Sequence, residues 1–157
     1  MTEDTTTSTR GCVVVGIDGS EQSQVALRWA DFVARSMDCD LAVTIAWQLY
    51  PGIGLGAGMA SLPPDWNPAS DAETAARRTI EQVFGTSPPP ALRVSVQEGG
   101  AAQVLVQASS HARVLVVGSR GHGGFAGLLL GSVSAATSEH AKCPVLVVHG
   151  EAPPPIA

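Results

Sequence analysis

Short apolar runs alternate along the chain with longer segments in which apolar residues recur every three or four positions. The runs at residues 12–17 (CVVVGI) and 114–118 (VLVVG) are nearly continuous and rich in valine, which is typical of parallel strands buried on both faces. The same criterion predicts strands at residues 41–47, 92–96 and 144–148. Five strands are therefore expected, each separated from the next by a segment long enough for a helix.

Apolar residues between the predicted strands recur at helical spacing, which predicts four helices. Ser20 is predicted to cap a first helix, whose sheet-facing side is expected to comprise Val25, Trp29, Phe32, Val33 and Met37. Residues 70–73 (SDAE) match a capping box and predict the start of a second helix. Two further helices are expected at residues 101–111 and from Gly131 or Ser132 to Glu139. Residues 48–68 lack periodicity and predict a long loop.

Alternating strands and helices predict an α/β fold, in which a parallel sheet lies between two layers of helices. In this class, ligands bind at the carboxyl ends of the strands where the strand order reverses. If the order is flavodoxin-like, the first and fourth strands flank that reversal. Asp18 and Gly118, which end those two strands, would then meet at the mouth of one crevice.

Residues 118–132 (GSRGHGGFAGLLLGS) follow the fourth strand with the spacing G-x2-G-x9-G-S. Glycines in such a turn let backbone N–H groups converge, and the first amides of the next helix have no partner within it. Both features favour a phosphate ligand, although the glycines could also serve only a tight turn. Gly121 to Ala126 also fits G-x-G-x-x-A, but a dinucleotide fingerprint belongs to a first βαβ unit. The Walker pattern with its lysine is absent from the sequence.

Asp18 allows two interpretations, either a turn with Gly19 or a ligand contact at the end of a central strand. A carboxylate repels a triphosphate, so a binding role would direct Asp18 toward the base, the sugar or a divalent metal such as Mg²⁺. Arg120 and His122 could assist phosphates or be solvated charges. Residues 125–130 (FAGLLL) are apolar enough to suggest a lid or a subunit contact.

Composition narrows the functional classes. A chain of 157 residues with 45% hydrophobic content fits one domain, expected at residues 11–149 between disordered tails at 1–10 and 150–157. The net charge of −5 without a basic stripe argues against a nucleic-acid partner.

No apolar run reaches a membrane span of about 20 residues. The polar, acidic start argues against a signal peptide, so a cytoplasmic location is expected. No nucleophile elbow or carboxylate pair predicts a catalytic residue.

Three segments together resemble the universal stress protein family, in its single-domain, nucleotide-binding form. Gly118, Gly121, Gly131 and Ser132 meet the glycine spacing without a gap, and VVVGIDGS and HAKCPVLVV flank it in the right order. The resemblance covers residues 11–149. It implies a three-layer sandwich with a five-stranded parallel sheet of order 3-2-1-4-5, and it implies ATP as the ligand. Mg²⁺ is expected with the ATP for a separate reason, because it would offset the acidity of the chain and bridge the phosphates.

The resemblance also implies roles for single residues. Asp18 would lie at the adenosine end, Ala46 would meet the adenine edge through its backbone, and Gly118 would approach the ribose. The phosphate contacts would be the amides of Gly121 and Gly131 and the hydroxyl of Ser132, with Val133 and Ser134 completing the helix start.

The expected function is therefore a nucleotide-dependent regulator in the stress response that binds ATP and hydrolyses it slowly or not at all. Two alternatives stay open. One is a true Mg²⁺-dependent ATPase or nucleotidyl transferase in which Asp18 holds the metal. The other is a structural or chaperone-like dimer without a nucleotide role. The resemblance further implies a homodimer formed through the fifth strand, whose apolar edge would otherwise be exposed.

Overall fold

A computed structural model describes residues 11–49, 65–121 and 127–155. Within these ranges, strands and helices alternate from the first element to the last. They are β1 (Cys12–Ile17), α1 (Glu21–Ser36), β2 (Asp40–Trp47), α2 (Pro68–Phe84), β3 (Leu92–Glu98), α3 (Ala101–Ser109), β4 (Val114–Gly118), α4 (Ser132–His140) and β5 (Val145–Val148). Each strand and helix predicted from the sequence is present, with ends that differ by a few residues.

The five strands form one parallel sheet of order β3-β2-β1-β4-β5, which confirms the predicted topology. β1 is central, and its Val13 pairs with Leu41 of β2 on one side and with Val114 of β4 on the other. The chain winds outward from β1 in both directions, so the strand order reverses between β1 and β4. The carboxyl ends of these two strands therefore border a crevice.

Side chains of β1 alternate between two apolar clusters, one on each face of the sheet. Val13, Val15 and Ile17 pack with α1 and α2. Val14 packs on the opposite face with Leu105 of α3 and with residues of β4. The sheet is thus covered by helices on both sides, which makes the expected three-layer sandwich and leaves the strand ends for a ligand.

The face that α1 buries differs from the prediction. Ala26, Leu27, Ala30 and Ala34 are buried with Val25, whereas Met37 is 37% exposed. Small side chains let the helix axis approach the sheet closely, so the larger residues at predicted positions lie at the flank. Trp29 and Val33 accordingly pack against the margin of the core.

The start of α2 also differs, because the predicted capping box at Ser70 is wrong. Asn67 caps the helix, its side chain accepting a hydrogen bond from the Ser70 N–H at 3.2 Å, and Pro68 occupies the first turn. Proline is well suited there because its fixed φ is helical and the missing N–H has no helix partner anyway. The helix therefore begins two residues before the predicted cap.

The predicted terminal tails have different outcomes. Residues 1–10 lie outside the described residues, as do 156 and 157. The predicted disordered tail at 150–157 is described as far as residue 155, and two of its carbonyls accept hydrogen bonds from α1: that of Gly150 from Gln22 at 3.1 Å, and that of Ala152 from the Trp29 indole N–H at 2.9 Å. A hydrogen bond to a side chain on the core margin gives this segment a defined place.

Candidate functional site

A cavity of about 260 Å³ opens at the carboxyl ends of β1 and β4. Its volume lies just below the range usual for small-molecule sites, about 300–1,000 Å³. All eight site residues predicted from the sequence line it: Asp18, Ala46, Gly118, Gly121, Gly131, Ser132, Val133 and Ser134. Segments far apart in the sequence therefore meet at the predicted crevice.

Asp18 follows β1 directly and forms a turn. Its Oδ1 accepts a hydrogen bond from the Ser20 N–H at 2.9 Å, and Gly19 has φ +83°, a conformation that favours glycine. The turn interpretation is thus correct for the backbone. The side chain is also exposed and lines the cavity, so the turn holds a carboxylate at its mouth.

Gly121 lies directly beside that carboxylate. A Cβ atom at position 121 would collide with Oδ2 of Asp18. The absence of a side chain therefore lets the loop after β4 approach the turn after β1. A larger residue at position 121 would require the exposed Asp18 carboxylate to move.

The first turn of α4 is anchored to the end of β4. The Gly131 N–H donates to the carbonyl of Ser119 at 2.7 Å, and the buried Ser134 hydroxyl lies 2.9 Å from the same oxygen and 3.0 Å from the carbonyl of Gly131. The amide of Gly131 is therefore already bonded within the protein. This arrangement fixes the helix start relative to the sheet.

The amides that directly follow Gly131 in α4 have no hydrogen-bond acceptor within the helix. Helix geometry leaves the N–H groups of Ser132, Val133 and Ser134 without a carbonyl partner in the helix. In the part of the chain that the structure describes, no side chain caps them. The positive end of the helix dipole lies at the same point. The cavity is thus bordered by groups that favour an anion.

Arg120 and the leucines near it form another side of the cavity. The Arg120 guanidinium donates to the carbonyl of Leu128 at 3.0 Å, a contact between residues on either side of the undescribed segment 122–126. Leu128 and Leu130 line the cavity, whereas Leu129 is 87% exposed. His122 and Phe125, which the sequence analysis singled out, lie outside the described residues. The wall is therefore apolar with one cation.

Sequence reasoning missed several residues of the cavity wall, among them Thr44, Ala101 and Leu105. Thr44 is buried on β2, and a hydroxyl within the run LAVTIAW was a signal that could have identified it. Leu105 had no such signal. The Leu105 side chain packs directly on Gly16 of β1, where an added Cβ atom would lie 2.6 Å from the leucine Cδ1. In the sequence, Leu105 is indistinguishable from an ordinary core residue.

No cysteine lines the cavity within the described residues. Cys12 and Cys143 lie toward the opposite, amino-terminal ends of β1 and β5, and burial raises the pKa of both thiols. Among residues 11–49, 65–121 and 127–155, no three His, Cys, Asp or Glu side chains are grouped to hold a metal ion. The same ranges contain no helix with the length and apolar character needed to span a membrane.

Fold and cavity together define a doubly wound α/β protein with a cavity at its topological switch point. The sequence profile described as "Universal stress protein family" matches residues 11–149. The chain belongs to the universal stress protein family.

A relative and two solved structures agree with this assignment. The chain is 33% identical over 145 residues to universal stress protein Rv2623 of Mycobacterium tuberculosis, covering 88% of this chain and 48% of that protein. Universal stress protein UspA from Lactobacillus plantarum superposes with a TM-score of 0.70 at 22% identity, covering 88% and 97% of the two chains. A universal stress protein in complex with cAMP superposes at 0.56 with 28% identity and the same coverage. The chain thus spans about half the length of the mycobacterial relative.

Proposed function

We propose that the cavity binds an adenine nucleotide, with ATP as the main ligand, and that the protein acts as a nucleotide-dependent regulator in the stress response. The observation that supports this most strongly is the uncapped first turn of α4 at the edge of the cavity. Anions bind readily at such helix starts. The cAMP complex of a 28% identical relative supports the nucleotide class, and membership of a family described as stress proteins supports the proposed role in the stress response.

The phosphates would lie against α4 and the loop. The amides of Ser132 and Val133 and the hydroxyl of Ser132 would bind phosphate oxygens, together with the amide of Gly121. The Gly131 amide would not bind phosphate, because its N–H already donates to the carbonyl of Ser119. Gly131 would instead leave space for the phosphate, since it has no side chain. Ser134 would act through the helix start, since its buried hydroxyl is held by backbone carbonyls.

The nucleoside would extend from there toward β1 and β2. Gly118 would lie near the ribose and Asp18 at the adenosine end, while Ala46 would meet the adenine edge through its backbone. Small residues on this side leave room for a flat base, and Thr44 adds one hydroxyl to the wall. Backbone contacts to adenine provide the proposed preference for this base.

Mg²⁺ fits the site only together with the nucleotide. One carboxylate, that of Asp18, lines the cavity, and Mg²⁺ is commonly held by one or two carboxylates plus phosphate oxygens and water. Bound in this way, the ion would neutralise phosphate charge close to Asp18. Without it, the carboxylate and the phosphates would repel each other.

The ATPase alternative rests on the same carboxylate. Asp18 is bonded to the Ser20 amide, and no second carboxylate or histidine lines the cavity within the described residues. We therefore favour slow hydrolysis at most. Multiple-turnover release of ADP that Asp18→Asn abolishes would favour the enzyme instead.

Gly131→Val tests nucleotide binding without disturbing the fold. Gly131 has φ −71°, open to any residue, and a Cβ there would lie 3.5 Å from the Ser119 oxygen, an ordinary contact. The added methyl groups would occupy the space through which a phosphate approaches Ser132. Calorimetric titration with ATP and Mg²⁺ should show at least about tenfold weaker binding than for the wild type.

Ala135→Val is the matched control, because it also places a valine in α4, but at an exposed position that does not line the cavity. Its affinity should equal that of the wild type. If Gly131→Val also binds as the wild type does, the helix start is not the phosphate site and the proposal fails.

A further inference from the structure

We propose that residues 150–155, here called the strap, are coupled to the cavity, so that nucleotide binding and docking of the strap on α1 strengthen each other. This inference rests on the proposed function. It assigns to a segment outside the cavity the role of transmitting nucleotide occupancy to the outer face of α1.

The strap begins directly after the end of β5, which is hydrogen-bonded to residues that border the cavity. Val148, the last residue of β5, pairs with Gly118, and its carbonyl accepts the Ser119 N–H at 2.8 Å. The chain then turns at Gly150, whose φ of +66° favours glycine. The position of the strap is thus set by the same strand end that anchors α4.

Two hydrogen bonds join the strap to α1. The Gln22 side chain donates from Nε2 to the carbonyl of Gly150 at 3.1 Å, and the Trp29 indole donates to Ala152 at 2.9 Å. Gln22 and Trp29 are seven residues apart, two turns along one side of the helix. Three prolines follow, and their restricted backbone reduces the entropy lost on docking. The strap therefore follows the helix from its first turn.

Gln22 also connects the strap to the cavity. A Cβ atom on Gly118 would lie 3.3 Å from the Gln22 carbonyl oxygen and 3.4 Å from its Cβ, so the first turn of α1 packs directly on the last residue of β4. Gly118 lines the cavity, and the next residue, Ser119, holds the start of α4. A bond that positions Gln22 thereby helps to position the phosphate-binding helix start.

The proposed coupling requires that docking of the strap has a small net free energy. Oε1 of Gln22 is buried and has no hydrogen-bond partner in the described ranges, a cost to the conformation in which Nε2 of the same side chain donates to Gly150. Two hydrogen bonds offset only part of the backbone entropy lost when six residues become ordered. An equilibrium with small net free energy is one that ligand binding shifts readily.

The test compares the full chain with a variant that ends at His149 and with Trp29→Phe, which removes the indole N–H but keeps an aromatic ring. Calorimetry with ATP and Mg²⁺ should show roughly fivefold or greater weakening for the truncated chain and a smaller loss for Trp29→Phe. Trp66→Phe is the matched control, since Trp66 is exposed and does not line the cavity, and its affinity should not change. If the truncated chain does not fold, Trp29→Phe decides.

A second measurement reads the strap itself. Hydrogen exchange of the Trp29 indole N–H, followed by NMR in the wild type, should slow on addition of ATP and Mg²⁺ by about the factor that truncation costs in affinity, because coupling is reciprocal. Unchanged affinity in both strap variants, with ATP bound by the wild type, overturns the coupling alone. If the wild type binds no nucleotide, the proposed function fails and the coupling fails with it.

Discussion

At the scale of single residues, the motif glycines are needed for different physical reasons. Gly121 leaves space for the Asp18 carboxylate, and Gly118 leaves space for backbone atoms of Arg120 and Gln22. Gly131 has no comparably close neighbour in the protein, so the space over it remains for a ligand. One sequence pattern therefore contains a glycine packed against backbone atoms, one beside a movable carboxylate and one that we propose leaves space for a ligand, and spacing alone could not separate them.

Gly118→Ala should destabilise the fold. The added Cβ would lie 3.2 Å from the Arg120 carbonyl oxygen and 3.3 Å from that of Gln22, and backbone atoms cannot move aside as a flexible side chain can. Overpacking of this kind costs about 1–3 kcal/mol, which urea unfolding would measure. Gly131→Ala is the control, expected to lose no more than about 1 kcal/mol as a changed helix cap. Equal stability of the wild type and Gly118→Ala would contradict the close approach.

At the scale of elements, apolar periodicity predicted the kind and order of the strands and helices, and it placed β1 and β4 with correct ends. The errors arose where two local patterns competed. Ser70 and Glu73 fit a capping box, yet Asn67 followed by Pro68 forms the actual helix start. On α1, large residues were assigned to the core although alanines face the sheet, because close packing favours small side chains there.

β5 is an edge strand, and we propose that it pairs with β5 of a second copy. β4 bonds to the carbonyls of Pro144 and Val148, so the alternate residues Val145 and Val147 direct their backbone groups to the open edge. Light scattering at micromolar concentration should give twice the chain mass of 16.1 kDa. Val147→Pro, which removes one outward N–H, should give a monomer, while Val147→Ala should not. A monomeric wild type would exclude this dimer.

At the scale of the whole molecule, topology creates the site by bringing the turn after β1 beside the loop after β4. The composition of the loop suggested an anion, but only a strand order with β1 beside β4, assumed as flavodoxin-like and also implied by the family resemblance, joined it to Asp18. Wall residues of the cavity such as Leu105 were not predictable from sequence. An apolar residue between a helix and the sheet has the same sequence pattern whether it faces the core or the cavity. The strap was missed for another reason: a proline-rich end without periodicity gives no indication of the tryptophan that it contacts.

The central claim is that backbone amides at the start of α4 bind the phosphates of an adenine nucleotide. Its most direct test is an NMR titration of the ¹⁵N-labelled protein with ATP and Mg²⁺, following the backbone amides one by one. The account predicts saturable shifts at Gly121, Ser132 and Val133, with little change at Val94 on the far edge strand β3. Shifts absent from α4, or spread evenly over the sheet, would contradict it.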